Sequence, residues 1–183
     1  GQGHTIRGLC QTTHTNATAN DKQPNYLDNE IYVGLFHKVS HATISNLTIS
    51  QSLIKGVSAG AFSMKAEDSV FENCHTKDCY IGGENNTGEM VGQAYRSIFR
   101  SCSNGGTVWN RPVSGTNSWF GGIAGTSQSC HFTECENYGE IRNSGGCNGG
   151  IAGISTESNF EKCQNSGTIW GNYATGGIGG YTE

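Results

Sequence analysis

The chain has 183 residues, 34% of them hydrophobic, with 28 glycines, 2 prolines, 14% charged residues and a net charge of -4. That length suits one domain spanning 1–183, and the lack of any basic run excludes the electrostatic footprint of a nucleic-acid binder. No apolar stretch is long enough to predict a membrane-spanning helix, and with no leader visible at Gly1 the chain reads as a mature or excised segment.

Taken in order, the chain repeats itself. Ile6 and Leu9 are read as a first rung, followed by an insertion of about 12–30 that holds Pro24; Ile44 with Leu47, and Phe71 with Cys74, give the second and third. Gly88-Glu-Met-Val-Gly92 then leads to Phe99, Cys102, Asn104, Gly106 and Val108, and a second insertion of about 110–119 holds Pro112. Gly121-Gly-Ile-Ala-Gly125 leads in the same spacing to Phe132, Cys135, Asn137, Gly139 and Ile141. Gly149-Gly-Ile-Ala-Gly153 leads to Phe160, Cys163, Asn165, Gly167 and Ile169, and Gly176-Gly-Ile-Gly-Gly180 begins another copy. The steps between rungs are 38, 27, 28, 33 and 28 residues, the period of a solenoid.

Apolar residues alternate with polar ones within a copy and no window holds a 3.6-residue period, so the coils are built of strands. The expectation is an all-β parallel β-helix of about six coils of roughly 28 residues, each with three short strands. Equivalent residues then stack in columns about 4.8 Å apart. Phe71, Phe99, Phe132 and Phe160 form a core ladder with Cys74, Cys102, Cys135 and Cys163. Asn104, Asn137 and Asn165 form a turn ladder, since Asn tolerates the left-handed backbone region and its amide bonds to a like amide above. The cysteine column can be a buried stack of thiols or can close as strained vertical disulfides. Cys10, Cys79, Cys130 and Cys147 follow no column and are the better candidates for bridges stapling loops. No Cys-x-x-Cys occurs and the histidines share no register, so neither a metal nor a cofactor is expected.

Seven residues after each of three ladder cysteines stand Trp109, Arg142 and Trp170, each following an inward residue, so alternation turns them outward. A guanidinium between two indole faces is the expected arrangement, with Tyr138 and Trp119 extending a surface for a sugar ring or a neighbouring chain. Glu134 and Glu161 are read as one outer row with Asn73 and Ser101, a conceivable carboxylate pair read as a solvated edge. No nucleophile elbow or phosphate loop is found. Both insertions precede the glycine strand of the next coil, so they should leave from one corner. An even cysteine count and the sequons at Asn16, Asn46 and Asn85 suit a secreted glycoprotein.

The segments Gly1-Gln-Gly-His-Thr-Ile-Arg-Gly-Leu9, Val33-Gly-Leu-Phe36, Ala42-Thr-Ile-Ser-Asn-Leu47 and the Gly-Gly-Ile-Ala-Gly copies resemble the repeats of large bacterial and protist surface proteins. They are similar to the GLUG-type repeat and, more distantly, to pectin-lyase-like right-handed β-helices. The usual Leu-Val core pair stands here as Ile-Ala, Met-Val or Ile-Gly. The resemblance implies a right-handed β-solenoid and a non-catalytic structural or adhesive module displayed outside the cell, with no catalytic residues to carry over. The expected partners are neighbouring modules or further copies end to end, with glycans or host and cell-surface proteins as others; nucleic acid and membrane insertion are not expected. The alternative is a carbohydrate-binding or polysaccharide-degrading β-helix protein.

Overall fold

The computed structural model describes residues 3–12, 32–110 and 118–183. The insertions of about 12–30 and 110–119, with the Asn16 sequon, lie almost wholly outside the described residues. Among the described residues there is no helix, and so none long and apolar enough to cross a membrane. Three sheets run the length of the molecule. The first stacks Tyr32–Val33, Ser58–Ala59, Asn86–Gly88, Trp119–Gly121, Cys147–Gly149 and Thr175–Gly176; the second stacks Phe36–Ser40, Ser63–Glu67, Val91–Tyr95, Ala124–Gln128, Ala152–Thr156 and Gly179–Thr182. The third takes the rest of each coil, which bends twice and is broken into short strands such as His131–Thr133, Glu136–Asn137 and Glu140–Asn143. Every pairing is parallel and joins one coil to the next, as Phe99 opposite Phe132 and Phe132 opposite Phe160 illustrate. The fold is therefore a parallel β-helix whose coils each visit three sheets.

The Gly-Gly-Ile-Ala-Gly sentence is explained at the corner between the first and second sheets. A Cβ on Gly88, Gly121, Gly149 or Gly176 would lie 1.9–2.1 Å from the carbonyl oxygen three residues on, so only glycine lets the chain turn there. The following hydrophobic residue, Met90, Ile123 or Ile151, is then driven inward and fully buried. Inside the third sheet, the rings of Phe71, Phe99, Phe132 and Phe160 stack at centroid separations of 4.9–5.0 Å and within 8° of parallel. Phe62 meets Phe71 edge-on from the opposite wall.

The bend leading into the third sheet and the first bend within it are made by non-glycine residues with positive φ, as is the second bend in two of the coils. His41, Asp68, Arg96, Ser129 and Glu157 form one such column, Asn46, Asn73, Ser101, Glu134 and Lys162 a second, and Gln51 and Asp78 begin a third. This conformation costs an L-residue roughly 1–2 kcal/mol. Bonds between coils offset it: Asn73 Nδ2 donates to Asn46 Oδ1 at 2.7 Å, and Arg96 grips Asp68 through two bonds of 2.8 and 2.9 Å. The residue after each bend turns inward and bonds back to the carbonyl two residues earlier. Ser69, Ser97 and Ser158 do so with hydroxyls at 2.7–3.0 Å, and Cys130 does so with its thiol at 3.3 Å. Cys74, Cys102, Cys135 and Cys163 do the same at the next bend, each thiol shared with a carbonyl of the coil below. Ser and Cys are interchangeable here because each is a small side chain with one donor.

The first rung departs from expectation. Ile44 stands opposite Phe71 and Leu47 opposite Cys74, but Ile6 stands opposite Ile49 and His4 opposite Leu47. An apolar residue followed three positions later by an inward one occurs at both bends of the third sheet. Ile6 and Leu9 span the second bend, where Gly8 takes φ +69°, whereas Ile44 and Leu47 span the first, where Asn46 takes +52°.

Candidate functional site

All eight cysteines are free thiols, so neither vertical nor loop-stapling disulfides form. Cys79 and Cys130 are not strays: Cys130 occupies the serine column, and Cys79 follows the left-handed Asp78 with its thiol toward the carbonyls of Ile49 and Lys77. Burial pushes the thiols of Cys79, Cys102 and Cys130 up, which keeps them protonated and unreactive. The turn ladder forms as a run of bonds from Asn104 Nδ2 to Asn137 Oδ1 and from Asn137 Nδ2 to Asn165 Oδ1, both 2.6 Å. The backbone N–H of Gly106 donates to Asn104 Oδ1 and that of Gly139 to Asn137 Oδ1, so each of these amides also closes its own turn.

On the outside of the third sheet, Trp109 stands opposite Arg142 and Arg142 opposite Trp170. The column continues downward through Gly82 and Lys55. The expected guanidinium sandwich gives way to an ion pair: Arg142 Nε donates to Glu140 Oε1 at 2.7 Å, two residues along the same strand face. A charge-assisted hydrogen bond is stronger than an exposed cation–π contact of about 0.5–1 kcal/mol. Tyr80 extends the aromatic surface, its ring 5.9 Å from that of Trp109 and under the Lys55 ammonium at 5.7 Å. Trp119 lies elsewhere, in a hollow of about 200 Å³ shared with Tyr95 and Gln128. Tyr138 is exposed one bend before Arg142. Between the indoles lies an open hollow of about 410 Å³, lined by Trp109, Arg142, Asn143, Ser144, Trp170 and Asn172. It borders the corner at which the chain leaves the third sheet for the first, where both insertions are placed in the sequence.

Sequence reasoning missed a second outer feature. Asn73 Oδ1 bonds to His75 Nε2 and His75 Nδ1 to Ser103 Oγ, each at 2.8 Å, in a hollow of about 600 Å³ that Glu134, Glu136 and Lys162 also line. Partial burial lowers the His75 pKa against the pull of Glu136, so the imidazole is neutral and suited to accept the Ser103 hydroxyl. The main chain around Ser103 is taken up in pairing with His75 and Glu136. The row expected for Glu134 and Glu161 is corrected: Glu161 stands opposite Thr133, and the neighbour of Glu134 is Lys162 at 3.8 Å. Lys162 is the residue that directly precedes Cys163, whereas Glu134 precedes Cys135. Among the described residues no group of three or more His, Cys, Asp or Glu side chains gathers to hold a metal.

Inside the solenoid, Glu89 occupies the place that Gly122, Gly150 and Gly177 take in later copies. Its carboxyl is fully buried, and neither oxygen has a partner at hydrogen-bonding geometry. Burial pushes its pKa well above the ordinary range, the Thr76 hydroxyl opposing only part of that. The carboxyl occupies space beside Gly106, whose Cβ would fall 2.2 Å from Oε1. The repeat itself carried the signal, as Glu89 is the one acid in a column otherwise written with glycine in the clear copies.

No protein-family model matches the chain, and no curated protein matches its sequence.

Proposed function

We propose that this β-solenoid is a non-catalytic structural and adhesive module of an extracellular, cell-surface protein, stacked end to end on further coils of the same kind. The observation that carries this reading is the condition of the two end coils. Phe132, Cys135, Ile141 and Ile151 are at most 1% exposed, whereas Phe160, Cys163, Ile169 and Ile178, one coil later in the same columns, are only half-buried. At the other end Leu9, Leu35, Ile44 and Leu47 are also only partly covered. Open strand edges with apolar columns are templates for more of the same pairing. Among the described residues the first end carries the cations Arg7 and Lys38, while the last coil carries Glu157, Glu161 and Glu183 against the single cation Lys162, so the two rims differ in sign. A head-to-tail contact of this type does not close and extends as a rod.

The non-catalytic reading is supported by Lys162, whose ammonium stands 3.8 Å from the Glu134 carboxylate and 3.7 Å from that of Glu161 and so engages both, and by the use of the Ser103 main chain in the ladder, which leaves no amide there to hold an oxyanion. Surface placement is supported by the Asn46 sequon, which is exposed at a bend, and by the resemblance to GLUG-type surface repeats. Asn85 is less accessible, with the hydroxyl of its sequon partner Thr87 fully buried. The free thiols lend that placement no support.

The test is electron microscopy and sedimentation of the purified chain across a concentration series. Rods that lengthen in steps of about 29 Å, six coils at ~4.8 Å each, and shorten when Lys38 and His41 are both changed to Glu, are expected. Compact monomers at every concentration, with both end coils protected from exchange, would sink the proposal.

A further inference from the structure

Beyond its role as a stacking module, we propose that the third sheet carries a glycan-binding site, with the indoles of Trp109 and Trp170 as two stacking platforms and Arg142 between them as the polar anchor. Four of the six large apolar residues that are well exposed, Tyr80, Tyr138, Trp170 and Tyr173, belong to the later segment of a coil from its second bend onward or to the corner after it. Exposed aromatics concentrated in this way mark an interaction surface. The spacing of the platforms selects the partner. Trp109 and Trp170 are two coils apart, about 9.6 Å, and a charged side chain stands between them in the same column. The surface therefore alternates apolar face, hydrogen-bonding group, apolar face. A protein partner of useful affinity wants a continuous apolar centre of much larger area. A chain of pyranose rings presents the matching alternation, with C–H faces that lie against aromatic rings and hydroxyl edges between them.

The polar groups are set for neutral hydroxyls. Arg142 Nε is held by Glu140 at 2.7 Å, which fixes the plane of the guanidinium, leaves its Nη groups to donate, and cancels its charge locally. Asn172 donates its amide N–H to the Ser144 carbonyl at 3.2 Å, so its oxygen remains an acceptor beside the second platform. Together these supply donor and acceptor within one hollow of about 410 Å³, the convergent polar groups in an aromatic site that define a small-ligand pocket. The main chain beneath Trp109 and Arg142 is held in the parallel ladder on both sides and that beneath Trp170 on its Arg142 side, so the ladder register sets the spacing of the two platforms without a ligand. The ligand class is thus a neutral, extended oligosaccharide lying along the solenoid axis, bound with little dependence on salt.

Only three tryptophans are present, Trp109, Trp119 and Trp170, and one of them lies outside the site, which provides an internal control. The purified chain is titrated with cellohexaose, xylohexaose, laminarihexaose and maltohexaose while tryptophan emission is followed, with isothermal calorimetry as a second readout. Saturable binding of at least one hexaose is expected, weakened tenfold or more by Trp109→Ala and by Trp170→Ala, and unchanged by Trp119→Ala or by added salt. Trp170 is 61% exposed, so its alanine variant keeps the wild-type circular dichroism and melting temperature, and a loss of binding there reads on the site alone. Failure of all four hexaoses to bind overturns the proposal, as does binding that survives the Trp109→Ala, Trp170→Ala double change. Either failure leaves the end-to-end reading intact, because that rests on the open coils.

Discussion

At the scale of single residues, the chain spends stability at one position where its own repeat shows the better solution. Glu89 is a carboxyl buried without a partner where later copies have glycine. Its folded pKa is raised by desolvation, so the folded state holds its proton more tightly than the unfolded chain does. The stability tied to that proton is complete below the unfolded pKa, near 4.5, and is lost as pH rises toward the folded value, at about 1.4 kcal/mol per pH unit in that window. Glu89→Gln should therefore match the wild type in urea unfolding at pH 4 and exceed it increasingly at pH 6 and pH 8. A gap that does not widen with pH would show that the carboxyl is charged in the fold. The thiols give a second residue-scale expectation. In the native protein a thiol reagent should modify Cys10 first and Cys147 and Cys163 slowly, while Cys74, Cys79, Cys102, Cys130 and Cys135 react only on unfolding; mass mapping of the adducts checks the order.

At the scale of the element, the asparagine ladder is a column whose members differ only in position. Asn137 is fully buried and bonds to Asn104, to Asn165 and to the Gly139 amide, whereas Asn165 closes the column at the half-open last coil. Asn137→Ala strands amide groups of two neighbours in the interior and should cost about 2–4 kcal/mol. Asn165→Ala, which leaves one orphan near solvent, should cost about 1 kcal/mol or less. Equal losses in chemical denaturation would mean that the ladder bonds carry little of the stability. The bends show the same logic outside the core, where the left-handed backbone at Asp68 and Asn73 is accompanied by bonds from Arg96 and to Asn46. Glu67, in the adjoining strand, is held down to about 2 by hydrogen bonds from Lys38 and Lys65, so the outer face of the second sheet is also knit from coil to coil.

At the scale of the whole molecule, each coil touches only the coils directly above and below, so stability is a sum over neighbours. Hydrogen exchange should be graded along the axis: slowest in the coils from Val91 to Ile141, fastest in Asn159–Glu161 and Gly179–Thr182 at the open end. Uniform protection over all coils would show that the end is covered. If modules join into rods, the same amides in the last coil should become protected as concentration rises, which links the exchange measurement to the assembly proposal.

The sequence by itself determined the repeat, the parallel β-helix and the columns at 71, 74 and beyond, because a residue written four times at one interval can satisfy the same backbone geometry four times over. It determined the outward row of Trp109, Arg142 and Trp170 through simple alternation. Only the tertiary structure decided the register of the first coil, where Ile6 and Leu9 fit either bend of the third sheet and the choice fell to the positive φ of Gly8. It alone turned Arg142 to Glu140 and away from the indoles, put Lys162 and not Glu161 in the outer row beside Glu134, and left every cysteine a thiol. The physical reason is common to all of these: periodicity fixes which residues share a column, while the partner each side chain takes within or beside that column is settled by competition among hydrogen bonds, charges and burial that depends on three-dimensional neighbours.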